Sequence, residues 1–171
     1  LRVNPQDTLG LLYGGFVAEQ LSMFSEALGF YDKLMKMDVL NKKNSNTIYQ
    51  NSINIYYTNC DEFNECDSFE NSIRLINDAK ELFPENNYYP SVEINIAMRL
   101  NKVEEARGKI DAQLEMDPEN PNLHFNRAVL YYNLGLALTE NNDFSENQKL
   151  DTLDKVYKSA IESYKSTLQF D

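Results

Sequence analysis

The sequence predicts an all-α fold, a solenoid of stacked helix pairs, on three observations. Apolar residues recur at three- and four-residue steps in four stretches, the period of a helix buried along one face. No stretch sustains apolar/polar alternation, and no Asn-Gly or Asp-Gly pair marks a hairpin turn. Pro84 and Pro118 stand 34 residues apart and enclose two helical patterns divided near Leu100-Asn101-Lys102. A fixed period of roughly 20 to 50 residues is what an array of supersecondary units leaves in a sequence.

The elements follow in order. The first pair has a small-residue helix with Gly14, Gly15 and Ala18, then an amphipathic one with Ala27, Leu28, Tyr31, Leu34, Met35 and Met37. The second pair sets a polar helix around Gln50, with Tyr56 as its packing aromatic, before Ile73, Ile76, Ala79, Leu82 and Phe83. Pro84 ends that helix because it lacks a backbone donor. In the third pair Ala106, Ile110, Leu114 and Met116 stop at Pro118 in the same way. The fourth opens at Pro121, where a first-turn proline is tolerated. It carries Ala128, Tyr131 and Gly135, then Ala160, Ile161, Tyr164, Leu168 and Phe170.

The boundaries expected for these repeats are about 8–41, 46–86, 87–120 and 121–171, within one repeat domain, 1–171. Polar insertions at 59–66 and 140–151 interrupt the period, and insertions of this kind map to loops. Leu1 to Pro5 reads as the closing turn of an earlier repeat, so the chain is expected to be a window of a longer array or to carry atypical end repeats.

At this point the chain resembles the tetratricopeptide repeat family, whose period is 34 residues. In the second helix of that family a small residue is followed, four positions later, by a large one. An Ala-Leu-like pair and a proline close the repeat. Ala27, Tyr31, Leu34-Met35 and Val39 stand in those places in the first repeat; Ser72, Ile76, Ala79 and Pro84 in the second. Ala106, Ile110, Gln113-Leu114 and Pro118 take them in the third, and Ala160, Tyr164 and Thr167-Leu168 in the fourth. Glu93 and Ile94 depart from the Leu-Gly pair usual in a first helix, which predicts a looser helix contact there. The resemblance implies a right-handed superhelical solenoid of about four helix-turn-helix repeats, with first helices on the concave side. It also implies non-catalytic binding of a protein or peptide.

Composition bounds the chemistry. A net charge of -11 over 171 residues argues against a nucleic-acid phosphate binder. No apolar run approaches the roughly 20 residues that span a bilayer. Cys60 and Cys66 lack the two further ligands of a zinc site, and the one histidine, His124, lies a repeat away; a disulfide and two free thiols both stay open. His124 is expected in the first turn of its helix, touching the preceding repeat. The run Asp61, Glu62, Glu65, Asp67 and Glu70 lacks the spacing and glycine of a calcium loop. No nucleophile elbow, phosphate loop or zinc-protease motif is present. The expectation is therefore no enzyme, no catalytic residue, no metal and no cofactor, with compartment and oligomeric state unassigned.

Projecting the register onto the inner face brings out Leu12, Phe16, Glu19 and Gln20 in the first repeat, then a mixture of amides and rings. The expected ligand contacts are Asn51, Asn54, Tyr57, Asn95, Arg99, Phe125, Asn126 and Tyr132. Asparagine offers an extended backbone both a donor and an acceptor, and tyrosine supplies contact area with few rotamers to freeze. An AT-rich genome would also enrich asparagine, and the rings could simply pack between neighbouring first helices. The carboxylate clamp of chaperone-binding members is not matched: Leu12, Tyr88, Ser91 and Val92 stand where Lys or Arg is wanted. A second function in view is the helical domain of a bacterial outer-membrane-associated nutrient or glycan-binding protein, with Tyr57 and Tyr132 stacking on sugar.

Overall fold

The computed structural model describes residues 7–37, 41–59, 65–140 and 146–170. Eight α-helices and no strand occur among them: α1 (Thr8–Gln20), α2 (Phe24–Met37), α3 (Lys42–Thr58), α4 (Glu65–Leu82), α5 (Tyr88–Arg99), α6 (Val103–Met116), α7 (Pro121–Glu140) and α8 (Glu146–Phe170). The fold is an all-α solenoid type of helix-turn-helix pairs. Two compact units can be distinguished, residues 1–93 and 94–171.

Caps set the helix starts. The Asp7 side chain accepts from the Gly10 amide at 3.0 Å, and that of Asn41 from the Asn44 amide at 2.9 Å. Asn120 Oδ1 accepts from the amides of Asn122 and Leu123 at the start of α7. Each satisfies a first-turn donor that has no intrahelical partner. Asn41 and Asn120 are thus capping residues.

The turns inside the first and third pairs are built alike. After α1, Ser22 N–H bonds Glu19 O and Met23 N–H bonds Ala18 O; after α5, Asn101 N–H bonds Met98 O and Lys102 N–H bonds Ala97 O. Both are Schellman closures, with the left-handed residue at Ser22 (φ 57°) and Asn101 (φ 54°). Ser22 and Asn101 each stand five residues before the small residue of the next helix, Ala27 and Ala106.

In the first unit Leu11, Leu12 and Ala18 of α1 share a core with Ala27, Tyr31 and Leu34 of α2 and with Ile48 and Ile55 of α3. Burying one such large side chain contributes about 1.5–3 kcal/mol. Gly15 permits the close approach of α1 to α2: a Cβ there would lie 2.8 Å from Cδ1 of Tyr31. Ser52 and Ser72 are buried, and their hydroxyls have no hydrogen-bond partner among the described residues.

In the second unit Ile94 and Ala97 of α5, Ala106, Ile110 and Leu114 of α6, and Leu123 and Leu130 of α7 form one cluster. Ile94, where the family pattern would set a glycine, is fully buried in it. Glu93 ion-pairs with Lys80 at 2.9 Å within the first unit. Gly135 repeats the device of Gly15, since a Cβ would lie 2.7 Å from Cε1 of Tyr157 on α8.

Residues 1–5 and Val39 lie outside the described residues, as do Cys60, Asp61 and Glu62 and residues 141–145 of the 140–151 insertion. The closing turn, disulfide and loop expectations placed there belong to that part of the chain. The segments expected to be loops are shorter than 59–66 and 140–151, because Glu65 and Cys66 already belong to α4 and residues 146–151 to α8. There the helical pattern extends backwards into the polar stretch.

Candidate binding face on the first helices

In the first unit the predicted contact Asn51 sits in a small polar network. The Tyr31 hydroxyl donates to Glu19 Oε2 at 2.6 Å, and Asn51 Nδ2 donates to the same oxygen at 3.0 Å and to the Tyr31 hydroxyl at 3.3 Å. Burial, followed by the Glu19 hydrogen bond, pushes the Tyr31 phenol well above its ordinary value. The network fixes the Asn51 amide plane, because its nitrogen is committed and no donor reaches its Oδ1 among the described residues. Asn54, one turn on, is exposed. Tyr57 is half-buried, its ring 6.5 Å from that of Phe69.

Tyr88 and Tyr89 also serve the first unit's interior. Tyr88 donates to Gln50 O at 3.3 Å, and Tyr89 donates to Asn46 Oδ1 at 2.6 Å while stacking on Phe83. Burial raises both phenols. These two rings pack rather than await a ligand.

In the second unit Asn95 is half-buried and Arg99 exposed on α5. Three predicted contacts come together on α7. Phe125 and Tyr132 are nearly half exposed, and each lies beside an α8 ring: Tyr164, edge-on at 5.9 Å, and Tyr157, tilted at 6.5 Å between centroids. Asn126 lies beside Phe125 and is partly buried. The spacing of Phe125, Val129, Tyr132 and Leu136 makes one apolar stripe, with Asn122 and Asn133 exposed at its sides. Leu136 is absent from the predicted contacts, although its spacing from Tyr132 was the available signal.

His124 is a structural residue. It is buried, its ring stacks on Phe170 at 5.6 Å, and Nε2 faces the Pro118 carbonyl at 2.7 Å. Arg127 reaches its Nδ1 at 3.2 Å and donates from Nε to the Ser163 hydroxyl at 3.1 Å. A carbonyl only accepts and a guanidinium only donates, so the ring hydrogen sits on Nε2. The contact with Pro118 matches the expected touch on the preceding repeat, and Phe170 and Ser163 bind the same group to α8.

A cleft of about 440 Å³ opens among α2, α3 and α4, walled by Asp32, Tyr49, Tyr56, Arg74 and Asp78. Sequence reading gave no sign of it, because its residues come from three helices. Burial raises both of its tyrosines. Among the described residues no group of three or more His, Cys, Asp and Glu could hold a metal ion, and no helix is long and apolar enough to cross a membrane.

No family model matches the chain, and no curated protein matches it. Among solved structures it is similar to a thermophilic TPR protein of Thermus thermophilus, with 17% identity, over 98% of this chain and 79% of that one, at a TM-score of 0.52. Identity this low speaks to the fold alone. Paired helices, matching turns and this likeness together give the chain a tetratricopeptide-like helical-repeat fold.

Proposed function

We propose that the chain is a non-catalytic scaffold that binds a protein or peptide through the exposed faces of its first helices. The observation that carries this reading is the α7 stripe. Phe125, Tyr132 and Leu136 are apolar, at helical spacing and open, with amide side chains on both flanks. Aromatic anchors ringed by polar groups are the composition of binding hot spots. Asn51, Asn54 and Tyr57 on α3, and Asn95 and Arg99 on α5, are assigned as supporting contacts. Asn51 suits the role because its amide is already oriented, which lowers the ordering cost of binding. The likeness to a tetratricopeptide protein favours this reading over a bacterial glycan- or nutrient-binding one, and gives an enzyme no support.

The test has two steps. Immobilised chain captures proteins from the source cell, and a captured protein is then purified and titrated against the chain by calorimetry. A one-to-one complex weakened at least about tenfold by Phe125→Ala with Tyr132→Ala is the expected result, since loss of an aromatic hot spot costs about 2 kcal/mol or more. Undiminished binding by the double variant would contradict the assignment of this face.

A further inference from the structure

The cleft among α2, α3 and α4 lies within the first unit and apart from the first-helix face assigned above. Tyr49, Ser52 and Tyr56 line it at three- and four-residue steps along α3, so Asn51 and Asn54 fall on the other side of that helix. Its volume of about 440 Å³ lies in the range of small-molecule sites, roughly 300–1,000 Å³. Leu28 and Met35 of α2 and Leu75 of α4 add apolar wall.

Four charged side chains stand on the walls. Two of them cancel, since Lys36 pairs with Asp32 at 2.7 Å. The other two, Arg74 and Asp78, are one turn apart on α4, and no ion pair reaches either among the described residues. Arg74 meets the neutral Oδ1 of Asn71 at 3.5 Å. Both charges act on the rings beside them: burial raises the two phenols, Asp78 adds to the rise at Tyr49, and Arg74 opposes it at Tyr49 and Tyr56. Ser52 completes the wall. It is fully buried, and its hydroxyl has no partner among the described residues. A buried hydroxyl left unbonded in a cleft wall is a polar group waiting for a partner.

We propose that this cleft binds an α-amino acid with a large aromatic side chain, held as a zwitterion. The Arg74 guanidinium takes the carboxylate and the Asp78 carboxylate takes the ammonium group. The side chain lies between Leu28, Met35 and Leu75 and the tyrosine rings, and its polar tip meets the Ser52 hydroxyl. A purely anionic ligand would meet Asp78 and a purely cationic one Arg74, each like charge on like. A molecule with one charge of each sign satisfies both. A side chain ending in a hydroxyl or a ring N–H, as in tyrosine or tryptophan, is favoured over phenylalanine, which would leave Ser52 unmet.

The sequence holds no tryptophan, so the emission of added L-tryptophan reports its own burial. Titration of the full chain is expected to show one saturable site. L-Tryptophan should bind at least about tenfold more tightly than tryptamine, which lacks the carboxylate, or indole-3-propionate, which lacks the ammonium group. Arg74→Gln and Asp78→Asn, both at exposed positions, should each weaken L-tryptophan at least about tenfold with an unchanged circular dichroism spectrum. Amide shifts of the labelled chain should show L-tyrosine binding more tightly than L-phenylalanine, and Ser52→Ala should erase that difference. The proposal is overturned if none of the three amino acids moves the amides of Tyr49, Ser52 and Tyr56. Tryptamine or indole-3-propionate binding as tightly as L-tryptophan would overturn it too, as would undiminished binding by either charge variant. Equal binding of L-tyrosine and L-phenylalanine by the wild type would overturn the placing of the side chain against Ser52.

Discussion

Tyr31 shows how one side chain serves core and face together. Its ring fills the space beside Gly15, while its hydroxyl bonds Glu19 and receives Asn51. A hydrogen bond to a charged acceptor contributes about 1.5–3 kcal/mol. Tyr31→Phe is therefore expected to lower the unfolding free energy by about 2 kcal/mol in urea titrations at neutral pH. Titration adds a second signature. Burial raises the folded-state phenols of Tyr31 and Tyr89 above their unfolded value of about 10, so folding favours the neutral form. That contribution is whole below about pH 10 and is lost as pH rises above it. Urea midpoints should fall across that range, and less steeply for Tyr31→Phe. Ser72 offers a change of the opposite sign. It stands where Ala27, Ala106 and Ala160 stand in the other pairs, buried with a hydroxyl that no group among the described residues bonds. Ser72→Ala removes that unmet polar group and should raise stability by about 1 kcal/mol. Register put Asn51 on a first-helix face, but its partners could not be read from sequence. The contacts join residues 12, 20 and 32 apart that only folding brings together.

At the scale of the element, two kinds of glycine behave differently. Gly15 and Gly135 stand against tyrosine rings, so Gly15→Ala forces overlap with Tyr31 and is expected to cost about 1–3 kcal/mol. Gly29 in α2 has nothing within 4 Å of a built Cβ, and Gly29→Ala should raise stability by about 0.5–1 kcal/mol by restricting the unfolded chain and improving helix propensity. Thermal melts of the two variants should therefore shift in opposite directions. Helix existence was legible in the sequence because three- and four-residue periodicity and proline stops both act locally. The left-handed turn at Ser22 was not, since serine carries no mark of the conformation that asparagine tolerates at Asn101. Salt bridges explain little of the stability. Lys36–Asp32 and Lys158–Asp154 are exposed pairs one turn apart, where solvent screens the attraction.

At the scale of the molecule, the repeat period determines which residues are free to act. The spacing of Pro84 and Pro118 made the helix-pair architecture readable, and the small residues Ala27, Ala106 and Ala160 are buried as that pattern requires. The face itself was less legible. Spacing selects Phe125 and Tyr132, whereas their half-exposure depends on Tyr164 and Tyr157, which a long insertion separates from them. The central claim is that first-helix residues receive a ligand without rearrangement of the helices beneath. Its most direct test is amide chemical-shift mapping of the labelled chain during titration with the partner obtained by capture. The account predicts shifts concentrated on α7 around Phe125, Asn126 and Tyr132, and on α3 and α5 at Asn54 and Arg99, with the amides of α2, α4 and α6 unmoved. Shifts centred instead on the Tyr49–Arg74–Asp78 cleft of α3 and α4, with α7 silent, would contradict it.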